Sequence, residues 1–160
     1  MINKYFILIL IAVFCKIFCS CGNRNDYYHN KYYCDLKNKI EQDLDVSAFD
    51  ELELNVYYDD SKEEYRDVIR YAKIITEKKD PMYGENVFEL YEMSGLLSKP
   101  LHLDTALIYL KKSAKAGNQY AAYKLGRMYR DGEYVKLNLD SACYYFKLAP
   151  DFKDSSLSIY

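Results

Sequence analysis

Only two histidines, His29 and His102, occur in 160 residues, and tryptophan is absent. With so little imidazole, a His-based catalytic triad has almost no material. Without a Cys-x-x-Cys pair or clustered histidines, a zinc site has no support. No G-x-S-x-G, no phosphate-binding glycine loop and no H-E-x-x-H is present. His102, placed in the loop before a repeat helix, suits a surface or capping role, and the paired carboxylates Asp59-Asp60 belong to a solvated acidic stretch. Neither an enzyme nor a cofactor is therefore expected. The basic residues form no massed cluster, so a nucleic-acid partner is not expected either. Also missing is a run of the roughly 20 apolar residues that a membrane-spanning helix needs.

What is present at the N-terminus is a shorter run. Lys4 precedes the unbroken apolar stretch Tyr5 to Phe14, and Phe18-Cys19-Ser20-Cys21 follows. This is the layout of a targeting segment. The four-residue end resembles a bacterial lipobox, although Phe18 is unusual there and Lys16 interrupts the apolar run. The resemblance implies that residues 1–20 are removed and that Cys21 carries lipid, tethering the protein to a membrane. Gly22 after that cysteine lacks the common inner-membrane retention signal, which points to a periplasm-facing outer-membrane lipoprotein. An ordinary secretory peptide, giving a soluble periplasmic or secreted protein, is the alternative. Of the five cysteines, Cys34 and Cys143 then remain. They can pair in an oxidising compartment, or Cys143 can be a small buried thiol in a helix.

The C-terminal half contains one motif twice. Asp104-Thr105-Ala106-x-x-Tyr109-Leu110-Lys111 returns thirty-six residues later as Asp140-Ser141-Ala142-x-x-Tyr145-Phe146-Lys147. A period of this size marks stacked supersecondary units, each burying its apolar face on its neighbour. Ala106, Tyr109, Leu110, Ser113 and Ala114 fall on one helical face. Gly117 stops that helix. Ala121, Leu125, Met128 and Tyr129 form a second stripe, with Gly126 allowing close backbone approach. Asp131-Gly132-Glu133 is a turn, and Ala149-Pro150 ends the last helix. Upstream, Leu90-x-x-Met93 is a weaker copy, and Glu64 to Lys78 places Val68, Tyr71, Ala72 and Ile75 on one face.

The stretch from Ala106 through Gly117, Ala121, Leu125-Gly126, Tyr129, Gly132 and Val135 to Ala142 and Tyr145 resembles the Sel1-like repeat, an αα-hairpin relative of the tetratricopeptide repeat. The likeness covers about one and a half repeats. Tyr134 stands where the pattern has a second loop glycine, Asn138 where it has aspartate, and Tyr109 and Tyr145 where tryptophan is commoner. The resemblance implies an all-α fold: a short αα-hairpin solenoid over residues 63–150, with a small irregular, acidic N-terminal extension over 21–62 and a tail over 151–160.

Within residues 21–62, Tyr32 to Leu44 reads as a helix. Leu52-x-Leu54-x-Val56-x-Tyr58 alternates, as a short strand or extended segment does. Glu41 to Asp67 holds eleven acidic residues against Lys62 and Arg66, a local charge of −9 in a chain of net −2. This is either a solvated surface or a patch for a basic partner.

Function is expected to lie in binding another protein. Tyr120, Lys124, Arg127 and Asp131 recur at spacings of three to four and avoid the packing positions, so they are expected to share an outward, partner-binding face. An exported, acidic, tethered repeat protein suits an immunity protein that neutralises a basic toxin in the periplasm; a general envelope scaffold or signalling adaptor is the alternative.

Overall fold

The computed structural model describes residues 24–58 and 62–152. The leader, Cys21, the Asp59-Asp60 pair and the tail from Lys153 lie outside the described residues. Among those described, the protein is all-helical and contains no strand. Its helices are α1 (Arg24–Asp43), α2 (Val46–Tyr58), α3 (Lys62–Lys78), α4 (Gly84–Met93), α5 (Pro100–Lys115), α6 (Gln119–Asp131) and α7 (Leu139–Lys147). Short 3-10 turns at Pro81–Tyr83 and Leu96–Ser98 flank α4. None of these helices is long and apolar enough to cross a membrane. The chain forms two compact units that divide after Ala48.

In the first unit, Tyr33, Leu36 and Ile40 are buried at spacings of three and four along α1. The helix expected at Tyr32 begins earlier, at Arg24. Leu44 ends it with a left-handed φ of 51°, its N–H donating to the Ile40 carbonyl at 3.1 Å. Asp45 then starts α2. Its Oδ1 accepts from the Ser47 and Ala48 N–H groups at 3.0 and 3.3 Å, satisfying donors that a helix start leaves open. The described residues of the N-terminal extension are thus helical, not irregular.

The extended segment expected at Leu52 to Tyr58 is a correction of the same kind, because these residues are the end of α2. Phe49, Leu52 and Glu53 are buried at helical spacing, whereas Leu54 is 56% exposed. A strand without a partner leaves its backbone groups unpaired, and a helix satisfies them internally.

In the second unit, α3 packs on α4, α4 on α5, α5 on α6 and α6 on α7. The recurring motif supplies the buried faces: Ala106, Leu110 and Ala114 on α5, Ala142 and Tyr145 on α7. Fully buried Leu110 and Leu125 each contribute about 2 kcal/mol of apolar transfer. Equivalent caps start successive helices. Asn118 Oδ1 accepts from Ala121 N–H at 3.0 Å, and Asn138 Oδ1 accepts from Ser141 N–H at 2.9 Å. Asparagine serves here as well as aspartate does.

Tyr109, Leu125, Tyr129 and Tyr145 are expected inward from the apolar stripes and the repeated motif; Leu125 and Tyr145 are buried, while Tyr109 and Tyr129 are half-buried. Tyr109 donates its hydroxyl to Glu77, and Tyr129 stacks on Tyr145 with centroids 5.6 Å apart. Gly126 is as constrained as its place suggests: a Cβ there would lie 2.7 Å from the Phe146 ring. Gly84, which the sequence does not single out, is tighter. A Cβ on it would lie 2.2 Å from the Tyr109 carbonyl oxygen. Tyr134 holds φ 59°, the left-handed backbone that the glycine of the resembled pattern adopts without strain. Its ring meets Phe88 edge-on at 6.0 Å. Cys143 is exposed on α7, which removes the buried-thiol reading.

Candidate binding site

The four residues expected on one outward face divide between two environments. Tyr120 (42% exposed), Arg127 and Asp131 are exposed. Lys124 departs from the expectation: its side chain is 18% exposed and turns onto α4. Its Nζ lies 2.8 Å from Glu92 Oε2, 3.4 Å from Glu89 Oε1 and 4.8 Å from the Phe88 ring centre. Tyr120 donates to Glu89 Oε1 at 3.2 Å. Asp131 pairs with its neighbour Arg130 at 2.7 Å. Tyr120 and Lys124 therefore fasten α6 to α4, and Arg127 is left on the surface.

The α4 carboxylates around Lys124 continue into a crowded acidic cluster. Glu53 on α2 is 8% exposed. Its Oε2 accepts from Asn86 Nδ2 at 2.8 Å, and its buried Oε1 has no hydrogen-bond partner. Burial is the main cause that pushes the Glu53 carboxyl up to about 7; Asp50 and Glu89 add repulsion, against the lowering hydrogen bond from Asn86. Burial likewise raises Glu85, with Glu89 adding to it and Lys124 opposing. For Lys124, burial alone lowers the ammonium's proton affinity, but the hydrogen bond and charge of Glu92, with the charge of Glu89, hold it above the ordinary value.

On the flank where α3 and α5 meet α4, a cavity of about 560 Å³ opens. Along α3, Arg66, Arg70 and Lys73 line one wall; Lys99 and His102 line the start of α5; Tyr91, Tyr109, Ile69, Ile74 and Leu96 supply aromatic and aliphatic surface. Glu77 is the carboxylate in that lining, and it accepts the Tyr109 hydroxyl. Lys73 Nζ donates to Tyr91 Oη at 2.6 Å and sits 4.9 Å above that ring. The His102 ring lies 5.4 Å from Tyr91, in the first turn of α5 rather than in the expected loop. Its Nδ1 is buried without a hydrogen-bond partner. Such an arrangement can attract an anionic group and lay apolar surface beside it.

Sequence reasoning missed this cavity, although part of its signal was legible. Arg66, Arg70 and Lys73 sit at spacings of four and three, one face of α3, beside the apolar face that drew attention. Lys99 and His102 join them only through the packing of α5. Compared with protein-family profiles, curated proteins and solved structures, the chain matches none.

Proposed function

We propose that the protein is an exported binding module, tethered to a membrane through lipid on Cys21, that acts by stoichiometric contact with another protein. The observation that carries this reading is the cavity framed by three successive helices. Its rim carries exposed Arg66, Arg70 and Lys99, and its walls carry tyrosine. Clefts of 300–1,000 Å³ with apolar walls and a few polar groups are the common form of binding site, and arginine and tyrosine dominate protein contacts. The stacked helices and the repeated motif support the Sel1-like solenoid reading, in which non-consensus positions serve as a continuous contact surface. The sharper form of the proposal is an immunity protein that neutralises a toxin delivered to the periplasm.

The test is capture of the partner from envelope extract, followed by reconstitution of the purified pair. A saturable one-to-one complex is expected, and for an immunity protein that complex abolishes the partner's toxic activity. Turnover of a substrate by the purified protein would overturn the reading. A fatty-acid probe should label the wild type and not Cys21→Ala; equal labelling of both ends the tether proposal.

A further inference from the structure

We infer that the cavity between α3, α4 and α5 is a receptor for an acidic peptide segment of the partner, an inference that rests on the binding-module reading above. Three observations converge on it. The first is charge. Arg66, Arg70, Lys73 and Lys99 face Glu77 alone among the lining carboxylates, in a chain whose net charge is −2. The excess of cations is local, so it selects where an anion docks as well as that it docks. The N-terminus of α5, which has no side-chain cap, adds its partial positive charge at Lys99 and His102.

The second observation is the buried, unpartnered Nδ1 of His102. A buried polar atom without a partner is uncommon and costly; the His102 ring lines this cavity, so a small turn of the ring on ligand entry brings that nitrogen to a polar partner. The third is size and lining. About 560 Å³ walled partly by Ile69, Ile74, Leu96 and tyrosine rings exceeds what a lone inorganic anion fills. It suits carboxylate side chains carried on a peptide whose apolar portions lie on those walls. A bounded concave cavity, rather than an extended basic stripe, also favours a peptide over a nucleic-acid backbone.

The experiment is fluorescence anisotropy of a labelled tetraglutamate peptide titrated with the full chain in detergent. Saturable binding is expected, weakening several-fold as salt rises from about 50 to 200 mM. Arg66→Ala combined with Lys99→Ala should reduce affinity about tenfold or more. Both residues are exposed, so the variant is expected to fold, and an unchanged circular-dichroism spectrum checks this. His102→Ala should also weaken binding. Lys136→Ala, at an exposed position outside the cavity, should bind as the wild type does. Equal binding of tetraglutamine, or unaltered affinity in the Arg66/Lys99 variant, overturns the assignment. Displacement by inorganic phosphate at equimolar concentration makes this a small-anion site, and tighter binding of a single-stranded oligonucleotide makes it a nucleic-acid site; either result also overturns it. A one-to-one protein complex formed without peptide binding removes the pocket assignment and leaves the module reading standing. Peptide binding in a chain that takes no protein partner does the reverse.

Discussion

The two flanks of α4 use charge in opposite ways. Toward α6, Glu89 and Glu92 take up the ammonium of Lys124, and Glu53 and Glu85 are crowded enough that burial raises both carboxyls. Toward α3 and α5, cations outnumber carboxylates around an open cavity. A lysine on the first flank is consumed in holding helices together, while among the residues lining the cavity on the second, cations outnumber carboxylates. The lesson is that a charged residue's role depends on what its neighbours across the helix boundary have already neutralised.

The comparison breaks most completely if α4 is dislodged, since both flanks depend on it. Gly84→Ala drives a Cβ against the Tyr109 carbonyl, a backbone atom that cannot turn aside. A loss of about 3 kcal/mol is expected, at the upper end of overpacking costs. Gly126→Ala meets the Phe146 ring, a side chain that can shift, and should cost about 1 kcal/mol. Chemical denaturation of both variants checks the order, and equal losses would refute the distinction between backbone and side-chain obstruction.

The acidic flank is sharpened by pH. Glu53 titrates near 7 in the folded protein, well above the ordinary glutamate value, so between those values the folded state holds more protons than the unfolded one. Stability should therefore fall as pH rises from about 4.5 to about 7, and Glu85, also raised by burial, extends the fall beyond that. Glu53→Gln should flatten this part of the profile and raise stability at pH 8 by on the order of 2 kcal/mol, read as a melting temperature several degrees higher. A Glu53→Gln profile parallel to the wild type would show that the carboxylate carries no such penalty.

Smaller effects separate the two kinds of cation. Lys124→Met keeps a stem over Phe88 but removes the charge that opposes the rise of Glu85. It should cost about 1 kcal/mol at pH 8 and less at pH 5, the pair being partly screened by solvent. On the other flank, Arg66→Ala with Lys99→Ala should change stability by less than about 0.5 kcal/mol, as surface substitutions usually do. If that pair costs as much as Lys124→Met, the flanks do not differ in the way described.

Much of the fold was legible in the sequence. The stripes at Ala106, Leu110 and Ala114 and at Ala121, Leu125 and Met128 are the buried stripes of α5 and α6. Gly132 takes the positive φ that a helix stop favours. The site was legible only in pieces. Lys124 and Arg127 look alike by spacing, yet one is drawn onto Glu92 and the other is exposed. Leu52 and Leu54 looked like alternate residues of a strand, because two positions cannot distinguish a period of two from a helix viewed from both sides.

By itself, the sequence determined that Glu64 to Ala149 is a run of amphipathic helices, where most of them stop, and which apolar residues lie inward. Those properties arise within three or four residues, from side-chain periodicity, caps and glycines. Only the tertiary structure decided which charges meet. Glu53 with Asn86 and Lys124 with Glu92 are each more than thirty residues apart in the chain, and Arg66 reaches the same cavity as Lys99. Such encounters depend on how each helix is turned about its axis against the next, and that rotation is fixed by the packing of whole faces rather than by any local pattern.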